Sequence, residues 1–191
     1  MKQLDIFLRD WRICQAGQFI GQGATVLDIG TGDGALFEKV KQISWGAGVD
    51  PLITNVIEHN NYTLYPGSFP AAFDCAIKFD VITMLAVLEH FPQTSYHTLA
   101  SRCAQLLMPE GLLIITVPSA HVDSLLQLMK WLGLIDGMNL DEHHGFDPQQ
   151  TRVIFTAPIF RLIHYKRFQL GLNCLFVFRR MDEQPVTARS L

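Results

Sequence analysis

Residues 24–35 read ATVLDIGTGDGA. The apolar run Val26-Leu27-Asp28-Ile29 enters Gly30-Thr31-Gly32-Asp33-Gly34-Ala35 directly, and Leu36, Phe37, Val40 and Ile43 then recur at helical spacing. A strand, a glycine turn and a helix in that order begin a βαβ unit, since glycines let the backbone turn tightly and pass close to a ligand at the strand's carboxyl end. Gly30, Gly32 and Ala35 also satisfy the G-x-G-x-x-G/A spacing of a dinucleotide-binding turn.

Outward from this turn the pattern repeats. Ser44–Val49 reads as a second strand stopped at Asp50-Pro51, and Leu52–Glu58 as a helix opened by the proline. Tyr62–Tyr65 and Phe79–Met84 read as a third and a fourth strand, Thr94–Leu107 as a helix, and Gly111–Val117 as a fifth strand ended by Pro118. Strands alternating with helices predict parallel pairing through right-handed crossovers. The runs VITML and LLIITV are apolar throughout, as expected of a sheet covered on both faces.

Upstream, Leu4, Phe7, Leu8, Trp11, Cys14 and Ile20 predict an amphipathic helix within residues 1–20. After Pro118 the period changes. Leu125, Leu128, Met129 and Leu132 predict a helix inside an insertion over 119–147, followed by a short helix near 148–154. Two strands then flank Leu170-Gly171 as a hairpin. Cys174, Phe176 and Phe178 alternate with Leu175 and Val177, so the last strand is apolar on both sides and belongs inside the sheet. The expected organisation is one domain over 1–180, with 119–147 roofing its pocket and 181–191 as a tail.

Composition narrows the class. A chain of 191 residues, 49% hydrophobic and 17% charged, has the size and make-up of one globular domain. With a net charge of −3 and no stripe of Lys or Arg, no nucleic-acid partner is expected. Cys14, Cys75, Cys103 and Cys174 form no C-x-x-C pair and read as buried free thiols of a cytoplasmic protein. No apolar run is long enough for a membrane span, and the first residues lack the apolar core of a signal peptide.

Two cofactors use a turn of this geometry, a dinucleotide and S-adenosylmethionine, and both call for an acid about 20 residues on to accept from ribose hydroxyls. Asp50 fills that place for either. The charges around the turn discriminate. Asp28 and Asp33 would set carboxylates against a pyrophosphate, at roughly 3–4 kcal/mol per pair before screening for ~4–6 Å and an effective dielectric of ~20. S-adenosylmethionine carries an ammonium and a sulfonium, which favour nearby carboxylates.

At these residues the chain resembles a known family. VLDIGTGDG is similar to the first motif of class I S-adenosylmethionine-dependent methyltransferases, and GVD ending at Asp50 to their acidic second motif. FDVITMLAVLEHFP and LLMPEGLLIITVP are similar to the fourth- and fifth-strand segments of the small-molecule branch, and DEHHGFDPQQTRVI to the stretch before its closing hairpin. The resemblance implies an α/β, Rossmann-like sheet of seven strands, order 3-2-1-4-5-7-6, with the last strand antiparallel and helices on both faces. It also implies that Gly30 and Gly32, with Thr31, lie against the methionine part of the cofactor. Asp28 would hold the amino group, Asp50 the ribose with Pro51 beside it, and Met84 and Leu85 would line the sulfonium region. For adenine, the Ser68 hydroxyl and nearby backbone, or an apolar site of Phe69 and Leu52, take the place of an acid found in many relatives.

Methyl transfer from a sulfonium is an in-line displacement, so alignment does most of the work, up to ~7–11 kcal/mol. A base is needed only where the nucleophile must lose a proton. His90, His121 and His144 are the candidates, each set against a structural role as a cap, an exposed turn or a loop residue. Some relatives bind a divalent metal through E-x-x-E-H; here Ala86 replaces the first glutamate and Glu89-His90 alone makes a poor hard-cation site, so no metal is expected. The expected acceptor is a small, moderately hydrophobic molecule. An NAD(P)-dependent oxidoreductase and a non-catalytic cofactor-binding scaffold stand as alternatives.

Overall fold

The strands follow in chain order as β1 (Ala24–Ile29), β2 (Ile43–Asp50), β3 (Ile57–Glu58), β4 (Tyr62–Pro66), β5 (Phe79–Leu85), β6 (Leu107–Pro118), β7 (Phe160–Phe168) and β8 (Asn173–Arg180). The α-helices among the described residues are α1 (Gln3–Gly17), α2 (Ala35–Lys39), α3 (Tyr96–Leu106) and α4 (Gln150–Ile154). This is a computed structural model that describes residues 3–119 and 146–182. The helix expected within 119–147, His121, His144 and nearly all of the tail lie outside the described residues.

Among the described residues the eight strands join one sheet of order β3-β4-β2-β1-β5-β6-β8-β7. β4, β2, β1, β5 and β6 pair in parallel, and β8 enters antiparallel between β6 and β7. Apart from the two-residue β3, this is the expected seven-strand order. β3 adds an antiparallel edge to β4 where a helix over Leu52–Glu58 was expected. That stretch carries Leu52, Val56 and Ile57 exposed, so it has no apolar face to bury, and β-branched Ile53, Thr54, Val56 and Ile57 favour extended backbone.

The sheet is covered on both faces. Ile13 and Ala16 of α1 and Leu36 and Phe37 of α2 pack against Val26, Leu64, Val81, Ile114, Leu175 and Val177. On the other face Leu99, Cys103 and Leu106 of α3 meet Leu27, Ile82, Ile115, Phe176 and Phe178, with Phe155 closing the layer after α4. The alternation of Leu175 and Val177 with Phe176 and Phe178 between the two clusters shows why β8 is apolar on both sides.

α1 is tied to the far side of the sheet. Lys166 Nζ donates to Gln15 Oε1 at 3.0 Å, and Gln169 Nε2 donates to the Leu8 carbonyl at 2.8 Å. Cys14 is exposed on this helix and Cys75 is half-buried, so only Cys103 and Cys174 of the four free thiols are buried. Among the described residues no helix is long and apolar enough to cross a membrane.

Candidate functional site

The site gathers at the carboxyl ends of β1, β2, β4 and β5. Gly30 leaves β1 with φ +74°, its N–H donating to the Val49 carbonyl at 2.8 Å. A Cβ there would come within 2.3 Å of Val87 Cγ2, so glycine is needed for the loop after β5 to close over the turn. Gly32 also has a positive φ, +56°, but nothing lies within 4 Å of where its Cβ would stand. Its backbone therefore faces open space that a ligand can approach.

The Asp50 carboxylate binds this turn from below. Oδ2 accepts from the Gly32 N–H at 2.9 Å and Oδ1 from the Leu52 N–H at 2.8 Å. Each oxygen keeps a lone pair for another donor. Asp28 is buried, and its Oδ1 accepts from the Thr83 hydroxyl at 2.6 Å. Burial pushes the Asp28 carboxyl up to about 7, opposed by the Thr83 and Thr31 hydroxyls and reinforced by the Asp50 charge. Thr31 Oγ1 is buried beside them.

Two cavities meet at Gly30. The larger, about 510 Å³, is walled by Arg9, Arg12, Asp28, Thr31, Gly32, Asp33, Leu52 and Leu85 among others. The smaller, about 340 Å³, is walled by Pro51, Ser68, Phe69, Val87, His90 and Phe91 together with Ile29, Val49 and Ser95. The expected residues are thus brought together with two exceptions. Met84 is fully buried in the core on the α3 face and lines neither cavity, whereas its neighbour Leu85 lines the larger. Asp50 lies behind the walls, with Pro51 and Leu52 in front of it on the two sides.

Sequence reasoning missed the contribution of α1. Arg9 and Arg12, three residues apart on one helix face, both reach the larger cavity. Arg9 pairs with Asp33 at 2.8 Å, which answers the turn's exposed carboxylate. Asp33 therefore loses much of its weight in choosing the cofactor, and Asp28, pushed up to about 7 by burial, carries its charge only as it ionises. Burial holds the Arg12 guanidinium below its ordinary pKa, opposed by the charge of Glu89. Among the described residues no group of three or more His, Cys, Asp or Glu side chains gathers as a metal site would require.

The larger cavity offers a buried carboxyl with the Thr31 hydroxyl beside it, open glycine backbone and two guanidinium groups. That donor set suits the ammonium and carboxylate of an amino acid, and the more apolar second cavity suits a flat ring.

The comparisons with known proteins agree with this chemistry. A family profile described as a methyltransferase domain matches residues 6–157. A search of curated proteins found no match. Among solved structures, the chain is similar to the 1,6-didemethyltoxoflavin N1-methyltransferase of Burkholderia thailandensis, with bound 1,6-didemethyltoxoflavin and S-adenosylhomocysteine, at TM-score 0.67 and 19% identity over 93% of this chain and 82% of that one. It is also similar to the N-methyltransferase NodS of Bradyrhizobium japonicum WM9, at TM-score 0.61 and 15% identity over 92% and 97%. A third is the magnesium protoporphyrin IX methyltransferase of Synechocystis PCC 6803 with bound S-adenosylhomocysteine, at 0.58 and 18% over 93% and 82%. The family match decides between the two cofactors that the glycine turn alone left open. The chain belongs to the methyltransferase-domain family and is a class I S-adenosylmethionine-dependent methyltransferase.

Proposed function

We propose that the protein methylates a small, moderately hydrophobic acceptor, with its cofactor divided between the two cavities that meet at Gly30. The observation that carries the placement is the contrast between those cavities: one charged and polar, with Asp28, Arg12 and Thr31, the other walled mainly by apolar side chains. In the larger, Asp28 and the Gly30–Gly32 backbone take the amino end and Arg12 the carboxylate. Asp50 offers its spare lone pairs to the ribose hydroxyls beside Gly32. In the smaller, Pro51, Phe69 and Val87 pack on the purine and Ser68 is placed to hydrogen-bond its edge. The bound cofactor supplies an activated methyl group on a sulfonium, so the chain's task is to align and to exclude water.

For the acceptor, support comes from two neighbours in the fold whose names give ring compounds, a didemethyltoxoflavin and a magnesium protoporphyrin. The apolar residues Leu125, Leu128, Met129, Trp131 and Leu132 fit the same class. His90 lines the smaller cavity and is exposed. It is the described histidine proposed as a base where the acceptor must lose a proton.

Calorimetry tests the placement: S-adenosylhomocysteine binds and NADH does not. Turnover is then read as accumulating S-adenosylhomocysteine across a panel of phenols, ring amines and carboxylic acids. NADH binding in place of S-adenosylhomocysteine would sink the placement, and turnover confined to strongly polar acceptors would sink the acceptor class.

A further inference from the structure

Glu89 is an acid beside the site that neither holds the cofactor in the placement above nor serves as the proposed base. It lies in a short 3-10 turn, Leu88–His90, just after β5. Three contacts fix that turn. Ala86 enters it at φ +59°, a left-handed conformation that alanine rarely adopts, and its N–H donates to the Thr116 carbonyl at 2.9 Å. Val87 fills the space over Gly30. Leu88 is fully buried.

Glu89 lines neither cavity but stands behind both walls, between Val87 and His90 of the smaller and within the electrostatic reach of Arg12 of the larger. Its Oε2 is buried and has no hydrogen-bond partner among the described residues. A buried carboxyl oxygen left unmatched costs stability and marks a place where a ligand can supply what the described residues do not. The titratable groups that act on it are Arg12 from α1 and Tyr96 at the start of α3. Burial pushes its carboxyl up to about 7 against the hydrogen bond from its own backbone and the charge of Arg12.

We propose that Glu89 is the countercharge to the sulfonium of S-adenosylmethionine, and so sets the preference for the methyl donor over the spent product. The proposal rests on the placement given under Proposed function. Sulfur is the atom that joins the amino-acid part of the cofactor to its nucleoside. A ligand filling both cavities has that atom where they meet, beside the turn that carries Glu89. The donor brings a positive charge to this point and S-adenosylhomocysteine brings none. An ionised Glu89 tells the two apart; a protonated one does not.

The test is calorimetry of the full chain with S-adenosylmethionine and S-adenosylhomocysteine at pH 6 and pH 8. Between these values the donor should gain about tenfold in affinity relative to the product. Glu89→Gln should remove that gain and leave the product's Kd within about twofold. Asp28 titrates in the same range, so a gain that survives in Glu89→Gln belongs to Asp28 and overturns the proposal. Equal weakening of both ligands also overturns it, because that is what a merely structural residue would do. Should Glu89→Gln fail to fold, Glu89→Ser must show the same loss of preference. In the wild type near pH 7, measured in two buffers of different ionisation enthalpy, the donor must release more protons than the product; equal release refutes the assignment. A wild type that binds neither ligand refutes the placement, and the countercharge falls with it.

Discussion

Asp28 and Asp50 show how two acids on neighbouring strands meet different partners. Asp50 accepts two backbone N–H groups at 2.9 and 2.8 Å, whereas Asp28 is buried with one hydroxyl at 2.6 Å. In the folded chain Asp28 holds its proton up to about 7, while an unfolded aspartate releases it near ~3.9. Between those values the folded state binds more protons, so this group makes stability fall as pH rises through that window. Asp28→Asn should therefore raise the melting temperature of the ligand-free protein at pH 8 by about 2–8 °C, with little change at pH 4, as followed by scanning fluorimetry. The same variant should bind S-adenosylhomocysteine less tightly. For Asp50→Ala the expected signature is opposite: a lower melting temperature, because two N–H groups lose their acceptor, and an affinity for S-adenosylhomocysteine reduced at least about tenfold. Both acids were legible as site residues from their positions beside the glycines. Their environments were not, since Thr83 lies 55 residues from Asp28 in the chain and only strand pairing brings it opposite.

At the scale of elements, the glycine turn and the loop after β5 form one unit. Gly30 admits Val87, and the Ala86 N–H ties the same loop to β6. Gly30→Ala should destabilise the fold by roughly 2–4 kcal/mol, through a strained φ and a clash with Val87 Cγ2. Val87→Ala made in the Gly30→Ala background should recover part of that loss, leaving the backbone strain; thermal melts of the single and double variants measure the coupling. The strands were readable because their apolar runs and proline stops are local signals. Residues 52–58 misled because a proline after an acid opens helices in general, whereas this stretch has no apolar stripe to bury. The contribution of α1 was hidden for the opposite reason. Arg9 and Arg12 are polar residues of an amphipathic helix, and nothing local says whether such a face meets solvent or a cavity.

For the whole molecule, the order of the sheet places every strand end that matters on one edge. β1 lies between β2 and β5, so the glycine turn, Asp50 and the Leu88–His90 turn converge without a long loop. That order followed from alternation of elements together with a resemblance in five stretches, and the one addition, β3, covers the β4 edge of the sheet. Covering the larger cavity falls partly to α1, which is fastened near the glycine turn by two surface ion pairs, Arg9 to Asp33 at 2.8 Å and Lys39 to Asp10 at 2.9 Å. Exposed pairs of this kind contribute little to equilibrium stability and are screened by salt. Their consequence lies in time rather than in affinity at rest. The helix body stays anchored by buried Ile13 and Ala16, so what answers to ionic strength is the Arg9–Asp33 latch at the mouth of the larger cavity. Stopped-flow release of S-adenosylhomocysteine should accelerate several-fold between 50 mM and 500 mM salt, and Arg9→Gln should flatten that dependence. The residence of the spent cofactor, and through it the pace of successive turnovers, is then set at the protein's surface by its first helix.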